Sequence, residues 1–199
     1  MASVLHVNAI TGTTGVGSQA GSPITLSGDT ATLGSGAIFP AGHVLQVVST
    51  QSNSRAGYSN TQQSSTTWQD LMSLAITPSA TSSKVLVTVC IAVGVDNYAV
   101  SLRILQNNST VSDHIGLSAS SGSRTPITLG VNPYTSNDDE VVTGSYTGLF
   151  SPSSTSAVTY KVQGVGRAAA WSFNRGEDGT NTYDRCDAVS TITLMEIKG

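Results

Sequence analysis

Apolar and polar residues alternate along much of the chain, and the pattern is clearest from Lys84 to Val93. The odd-numbered positions there are valine or isoleucine, whereas the even-numbered ones are lysine, leucine, threonine, cysteine and alanine. A period of two is typical of a β-strand that buries one face. The segment is therefore predicted to be a strand whose odd-numbered side chains, Val87 and Val89 among them, lie in a core.

Similar patterns predict strands in the rest of the chain, and no segment has a convincing apolar stripe at the helical period. The predicted strands are Val44–Val48, Trp68–Ile76, Lys84–Val93, Val100–Ile104, Arg124–Leu129, Val141–Phe150, Val158–Val165, Ala168–Phe173 and Ser190–Ile197. Polar turns that begin with proline, at 78–83 and 152–157, each join two of these strands. Two such strand–corner–strand units favour an antiparallel two-sheet β-sandwich of the jelly-roll type.

Composition supports an all-β fold. The chain has 199 residues, of which 20 are glycine and only 11% are charged. Its many serine, threonine and β-branched residues disfavour helices and suit strands and tight turns. The hydrophobic share is a modest 38%, which predicts that part of the apolar surface is buried between copies of the chain.

The first 41 residues differ from the rest and are predicted to form a separate attachment or shaft segment, with the β-sandwich domain at 42–199. Short strand-like pieces, Ser3–Ile10 and Pro23–Gly34, are separated there by glycine-rich sequence. Isolated short strands are marginally stable. Two interpretations remain open: ordered strands completed by other chains, or a flexible Gly/Ser linker.

The titratable residues form no catalytic or metal-binding motif. The three histidines lack metal-ligand spacing, and no Cys-x-x-Cys pair or nucleophile elbow is present. The acidic run Asp138–Glu140 fits either a site for a hard cation or a solvated loop. We therefore expect no enzyme activity, no cofactor and no metal. Paired glycosidase carboxylates lie far apart in sequence, so a polysaccharide depolymerase remains a minor alternative.

Charge and cysteine content narrow the choice of partners. The net charge is −3, and nine Lys and Arg are spread along the chain, so no nucleic-acid partner is expected. Cys90 is predicted to be a small core residue, and a bridge to Cys186 stays open. The longest apolar run, Val85–Val95, is too short to cross a membrane, and the first residues lack a secretion signal. Synthesis in the cytoplasm without membrane insertion is the expectation.

Two long polar segments are candidates for binding a glycan or a protein surface. They are Asn132–Glu140 and Asn174–Asp187, and the residues expected to make contact are Tyr134, Arg175, Tyr183 and Arg185. Tyrosine and arginine concentrate binding energy in small areas. Trp171 and Phe173 precede the second segment, and they either belong to this surface or point inward from a strand.

Four stretches carry a resemblance to a known group of proteins: Ala2–Gly12, the run from Ile24 to Val48, Ile76–Val87 and Ser190–Glu196. In these stretches the chain resembles tail-fibre-like virion structural proteins of aquatic (marine and cyanobacterial) tailed bacteriophages. The resemblance spans most of the chain, and its motifs are structural.

The resemblance implies a virion protein that assembles as a homotrimer. Its N-terminal segment would bind other tail or baseplate proteins, and its β domain would face the host surface. No catalytic residue is implied. A head decoration or cement protein that stabilises the capsid is the alternative within the virion.

Overall fold

A computed structural model describes residues 24–27, 30–33, 39–59, 67–95, 98–107, 114–119, 125–132, 140–168, 170–176 and 186–199. The chain divides into two units, Met1–Pro40 and Ala41–Gly199. In the first unit, strands β1 (Ile24–Ser27) and β2 (Thr30–Leu33) form an antiparallel hairpin. The strand-like piece predicted at Ser3–Ile10 lies outside the described residues.

The described residues of the second unit form eleven strands. They are β3 (Val44–Ser52), β4 (Ala56–Tyr58), β5 (Gln69–Ile76), β6 (Lys84–Val95), β7 (Val100–Gln106), β8 (His114–Ile115), β9 (Leu129–Val131), β10 (Val142–Phe150), β11 (Val158–Gly166), β12 (Trp171–Phe173) and β13 (Ser190–Ile197). No helix occurs in the part of the chain that the structure describes. In that part, accordingly, no helix is long and apolar enough to cross a membrane.

The strands form two antiparallel sheets. In the first sheet β3, β13, β6 and β10 lie side by side, β12 pairs with the last three residues of β6, and β4 pairs with β12. In the second sheet β5, β11 and β7 lie side by side, with β8 and β9 paired to β7. The connections 77–83 and 151–157 each cross from one sheet to the other, so both predicted corners are confirmed. Two antiparallel sheets linked by such corners make a jelly-roll-like sandwich, as the strand pattern and the two proline corners predicted.

The core lies between the sheets and contains the predicted face of β6. Val85, Val87 and Ile91 have no exposed surface, and Ile192 and Leu194 of the neighbouring β13 are equally buried. Burying a valine or isoleucine side chain contributes about 1.5–3 kcal/mol, which makes this layer the main source of stability. The alternation along β6 therefore determined both its secondary structure and the direction of its side chains.

Glycine makes room in the core for the largest side chain. Trp171 is completely buried, and a Cβ atom at Gly164 would lie 2.6 Å from its ring. Real Cβ atoms essentially never come so close to another heavy atom, so an alanine at this position of β11 would displace the indole.

Three sequence-based expectations are wrong. The strand predicted at Arg124–Leu129 is instead Leu129–Val131. The backbone N of Thr128 still donates to Leu102 O at 3.0 Å, but its hydroxyl Oγ1 accepts from Ile104 N at 3.1 Å and donates to Ile115 O at 2.9 Å, so a side chain takes the place of the next backbone pair. The strand predicted at Ala168–Phe173 is shortened to Trp171–Phe173.

The third correction concerns Cys90. It is half-buried on the outer face of β6 and is not a core residue, since the even-numbered positions of this strand point away from the sandwich. Cys90 and Cys186 are both free thiols.

Candidate functional site

The sandwich has two distinct ends. At one end, the proximal end, lie Val44, Ile76 and Lys84, together with both sheet-crossing corners. The backbone of Gly42, just after the first residue of the unit, donates to Lys198 O at 2.7 Å, which ties the start and the finish of the domain together here. At the opposite, distal end lie Val95 and Val100, the residues that flank the connection between β6 and β7.

Both candidate binding segments begin and end at the distal end. The segment 132–140 leaves β9 at Val131, which pairs with Val100, and reaches β10 at Val142, which pairs with Val93. The segment 174–187 leaves β12 after Phe173, which also pairs with Val93. The two segments therefore share one end of the molecule, although they are about 40 residues apart in sequence.

Among the predicted contact residues, Arg175 is described, whereas Tyr134, Tyr183 and Arg185 lie outside the described residues. Arg175 forms an antiparallel bridge with Asp187, which closes the base of its segment. Its guanidinium lies over Gly57, where a Cβ would meet Nη2 at 2.6 Å. The glycine thus leaves room for the arginine, which stays partly exposed at the distal end.

A buried asparagine holds the base of the same segment in place. Asn174 is fully buried and has a φ of 60°, a conformation that asparagine tolerates better than most residues. Its Nδ2 donates to Ser52 O at 2.9 Å and to Ser54 O at 3.0 Å, and its Oδ1 accepts from Ser190 Oγ at 2.6 Å. Asn174 therefore joins β3, β12 and β13 at the point where the candidate segment begins.

Asp187 pairs with a second arginine beside this base. The distance from its Oδ1 to Arg55 Nε is 3.1 Å, and both side chains are about half exposed. An exposed ion pair of this kind contributes about 0–1 kcal/mol to stability. Arg55 and Asp187 are thus free to exchange their contact for one with a ligand at little cost.

The two aromatic residues before the segment point inward. Trp171 and Phe173 are buried in the core, and the ring of Tyr58 packs on Trp171 with a centroid distance of 4.5 Å. Of the two interpretations that the sequence left open, the inward one is therefore correct, and neither residue is available to a ligand.

The outer face of the second sheet carries a row of polar side chains that the sequence analysis missed. Arg103 Nε donates to Gln163 Oε1 at 2.8 Å, and Gln163 Nε2 donates to Asp70 Oδ1 at 2.5 Å. Lys161 binds the other carboxylate oxygen of Asp70 at 2.6 Å, and the Arg103 guanidinium lies 4.1 Å from the centre of the Trp68 ring. We call these five residues the polar row.

The electrostatics of the polar row keep Asp70 ionised. Partial burial raises the pKa of this carboxyl. The hydrogen bonds from Gln163 and Lys161 and the charges of Lys161 and Arg103 lower it by more, so the pKa lies below its usual value. Burial lowers the pKa of Arg103, and the charge of Asp70 opposes this effect. The row therefore presents a fixed carboxylate, two cations and an indole at neutral pH.

These arrangements supply chemistry for binding. Charged and amide groups can exchange hydrogen bonds with hydroxyl or peptide groups, and an aromatic face can pack on the apolar side of a ligand. Among the described residues no three His, Cys, Asp or Glu side chains come together as metal ligands would.

Sequence reasoning missed the polar row because its members come from three strands and the residue before one of them. Trp68, Arg103 and Gln163 are separated by dozens of residues, and only the pairing of Gln163 with both Asp70 and Arg103 brings them together. The one available signal was that Lys161 and Gln163, two residues apart, fall on the same outward face of β11.

No protein family matches this chain, and no curated protein matches it significantly.

Proposed function

We propose that this chain is a phage virion structural protein, a trimeric tail-fibre or spike component whose β domain faces the host surface. The observation that carries the proposal is the polarity of the sandwich. Its first residues lie at the proximal end, whereas both candidate binding segments start and finish at the distal end. A protein attached through its N-terminal segment would direct the distal end outward.

The chemistry of the distal end supports a role in adhesion. Arg175, Arg55 and Asp187 lie together at the base of one segment, and the adjoining sequence supplies Tyr183 and Arg185. Tyrosine and arginine are enriched among residues that dominate binding energy, often about 2 kcal/mol or more each. Three copies in one particle component would add avidity, so weak contacts with a glycan or protein suffice.

The test is host binding by the purified full-length protein. The variant replaces Tyr134, Arg175, Tyr183 and Arg185 with alanine, and the matched control replaces Lys84 and Lys198 with alanine at the proximal end. We expect the first variant to bind host cells at least tenfold more weakly, and the control to bind as the wild type does. Circular dichroism and sedimentation confirm that fold and oligomer are intact.

A different set of results would contradict the adhesion proposal. If the wild-type protein does not bind host cells and particles lacking it have fragile heads, the adhesion proposal is wrong and the chain is a head decoration or cement protein. Copy number on a stained gel of purified particles separates the two, since a cement protein is present many times per capsid. Release of reducing sugars from host polysaccharide would instead identify a depolymerase.

A further inference from the structure

The outer face of the first sheet carries a row of apolar side chains and little charge. Strand pairing places Val47, Met195, Leu86 and Leu149 in one row across β3, β13, β6 and β10. We call this row the apolar stripe. Its ends are open to solvent, with Val47 53% and Leu149 49% exposed, and Val44 nearby is 44% exposed.

On the proximal side of the apolar stripe lies the row of Val44, Ile197 and Lys84, of which Lys84 is charged and exposed. The two rows on the distal side are polar but carry no charge. The next row is Ser49, Thr193, Thr88 and Thr147, and the one after it is Gln51, Thr191, Cys90 and Ser145. Hydroxyls pair along the first of these rows: Ser49 with Thr193 at 2.8 Å and Thr88 with Thr147 at 3.2 Å. The hydroxyls thus satisfy one another within the sheet and leave a flat surface that needs little water.

The outer face of the second sheet is charged, as is usual for a face in contact with water. Its outer face carries Asp70, Lys161 and Arg103 in the polar row. Soluble monomers rarely expose a contiguous apolar patch of several hundred Å², and such a patch marks an interaction site. The contrast between the two faces of one sandwich indicates that the first sheet is covered in the assembled protein.

The two edges of the first sheet have little protection: the register of β3 shifts between Val44 and Gln46 at its proximal end, and the pairing is otherwise regular along both edge strands. Within the described residues β3 pairs with β13 alone and β10 pairs with β6 alone. Neither edge strand contains a proline or a charged residue. Monomeric proteins commonly guard such edges with lysine, proline or a bulge to prevent pairing with another chain.

We propose that this outer face binds a second copy of the same chain. Apart from Lys84 at its proximal border this face carries no charge, so it is complementary to another surface with little charge, and a second copy of this chain supplies one. Four strands at about 4.8 Å spacing and nine residues at about 3.3 Å give roughly 570 Å² per copy, or about 1,140 Å² for a pair. That area just exceeds the ~1,000 Å² expected of a stable interface.

The stripe also has a geometry that suits three copies around an axis. Val47 and Leu149 lie on opposite edges of the sheet, three strand spacings or about 14 Å apart. In a closed ring each copy turns one edge of its stripe toward the other edge of its neighbour. The number of copies, three, rests on the proposed function, whereas the assignment of the outer face as the interface does not.

Sedimentation of the full-length chain tests whether this outer face is the interface between copies. The variant carries Val47→Lys and Leu149→Lys, and the matched control carries Leu117→Lys, the same change at an exposed leucine after β8. We expect association of the double variant to weaken at least tenfold and the control to assemble like the wild type. Should the lysine variant fail to fold, Val47→Thr with Leu149→Thr removes apolar surface without adding charge, and we expect weaker association there too.

Cross-linking gives the arrangement. In a chain with Cys90→Ser and Cys186→Ser, the pair Val47→Cys and Leu149→Cys is too far apart to bridge within one copy. Oxidation should yield a covalent trimer. A covalent dimer alone would support the outer face as the interface but contradict a trimer. The proposed interface and the proposed number of copies can therefore fail separately.

A wild-type chain that is monomeric at about 100 μM overturns the inference. So does equal association of the stripe variant and the Leu117→Lys control. Assembly that appears only after residues 1–38 are removed would show that the N-terminal segment covers the face, and would also overturn it.

Discussion

The buried carboxylate of Glu196 accepts two hydrogen bonds from Ser79, one from the backbone N at 2.7 Å and one from Oγ at 2.6 Å. Ser83 Oγ at 2.6 Å and Gln46 Nε2 at 2.7 Å complete its shell. Only 1% of Glu196 is exposed, and every donor is neutral. A single charged residue on β13 thereby fastens the corner between β5 and β6 to the first sheet.

Replacing Glu196 with glutamine should destabilise the domain by about 2–4 kcal/mol, because the amide nitrogen would face donors where a carboxylate oxygen accepted. Urea unfolding measures the loss. Asp187→Asn is the matched control, since it removes an exposed carboxylate and should cost no more than about 1 kcal/mol. Equal losses in the two variants would show that the buried shell contributes nothing special.

Stability should fall in acid more steeply for the wild type than for Glu196→Gln. Burial raises the pKa of Glu196, but the hydrogen bonds from Ser79, Ser83 and Gln46 lower it more, so the pKa of the folded state lies below that of the unfolded chain. The ionised carboxylate therefore stabilises the fold above the ordinary glutamate pKa of about 4.3, and this contribution is lost as the pH falls through the lower folded value. Urea midpoints between about pH 6 and about pH 3 measure the difference, and parallel curves would contradict it.

Val87→Asp should abolish folding, because it places an unpaired carboxylate in a position with no exposed surface, at a cost of several kcal/mol. The same substitution at Val47, which is 53% exposed, should leave the sandwich folded. Circular dichroism and thermal melting check both. A soluble Val87→Asp protein that melts like the wild type would mean that β6 does not face the core as described.

Asn174→Ala should lower the free energy of unfolding by about 2–4 kcal/mol. It removes the donor to the carbonyls of Ser52 and Ser54 and places alanine at a positive φ. Asn174→Gly removes the same hydrogen bonds and tolerates the backbone, so it should be about 1 kcal/mol less harmful. Asn107→Ala serves as control, because Asn107 has a φ of 64° but is exposed. Denaturant unfolding would contradict the role of Asn174 if its variant and this control were equally stable.

The alternation of residues along the chain predicted an all-β fold, and the two proline corners added the jelly-roll sandwich. Val85, Val87 and Ile91 face inward because a strand turns each successive side chain to the opposite face, a local rule that needs no knowledge of partners. The corners at 78–83 and 152–157 could be read for the same reason, since proline and serine act on their own backbone. Short strands such as β4 and β8 escaped because two or three residues show no period.

Only the tertiary structure decided which distant residues meet. Glu196 and Ser79 are more than a hundred residues apart, and the polar row and the apolar stripe each draw on strands from most of the chain. Sequence fixes which face of a strand is polar, but strand order and register determine what lies beside it. A shell of four donors around one carboxylate, or an uncharged row four strands wide, arises from that pairing and has no signature in any local stretch of sequence.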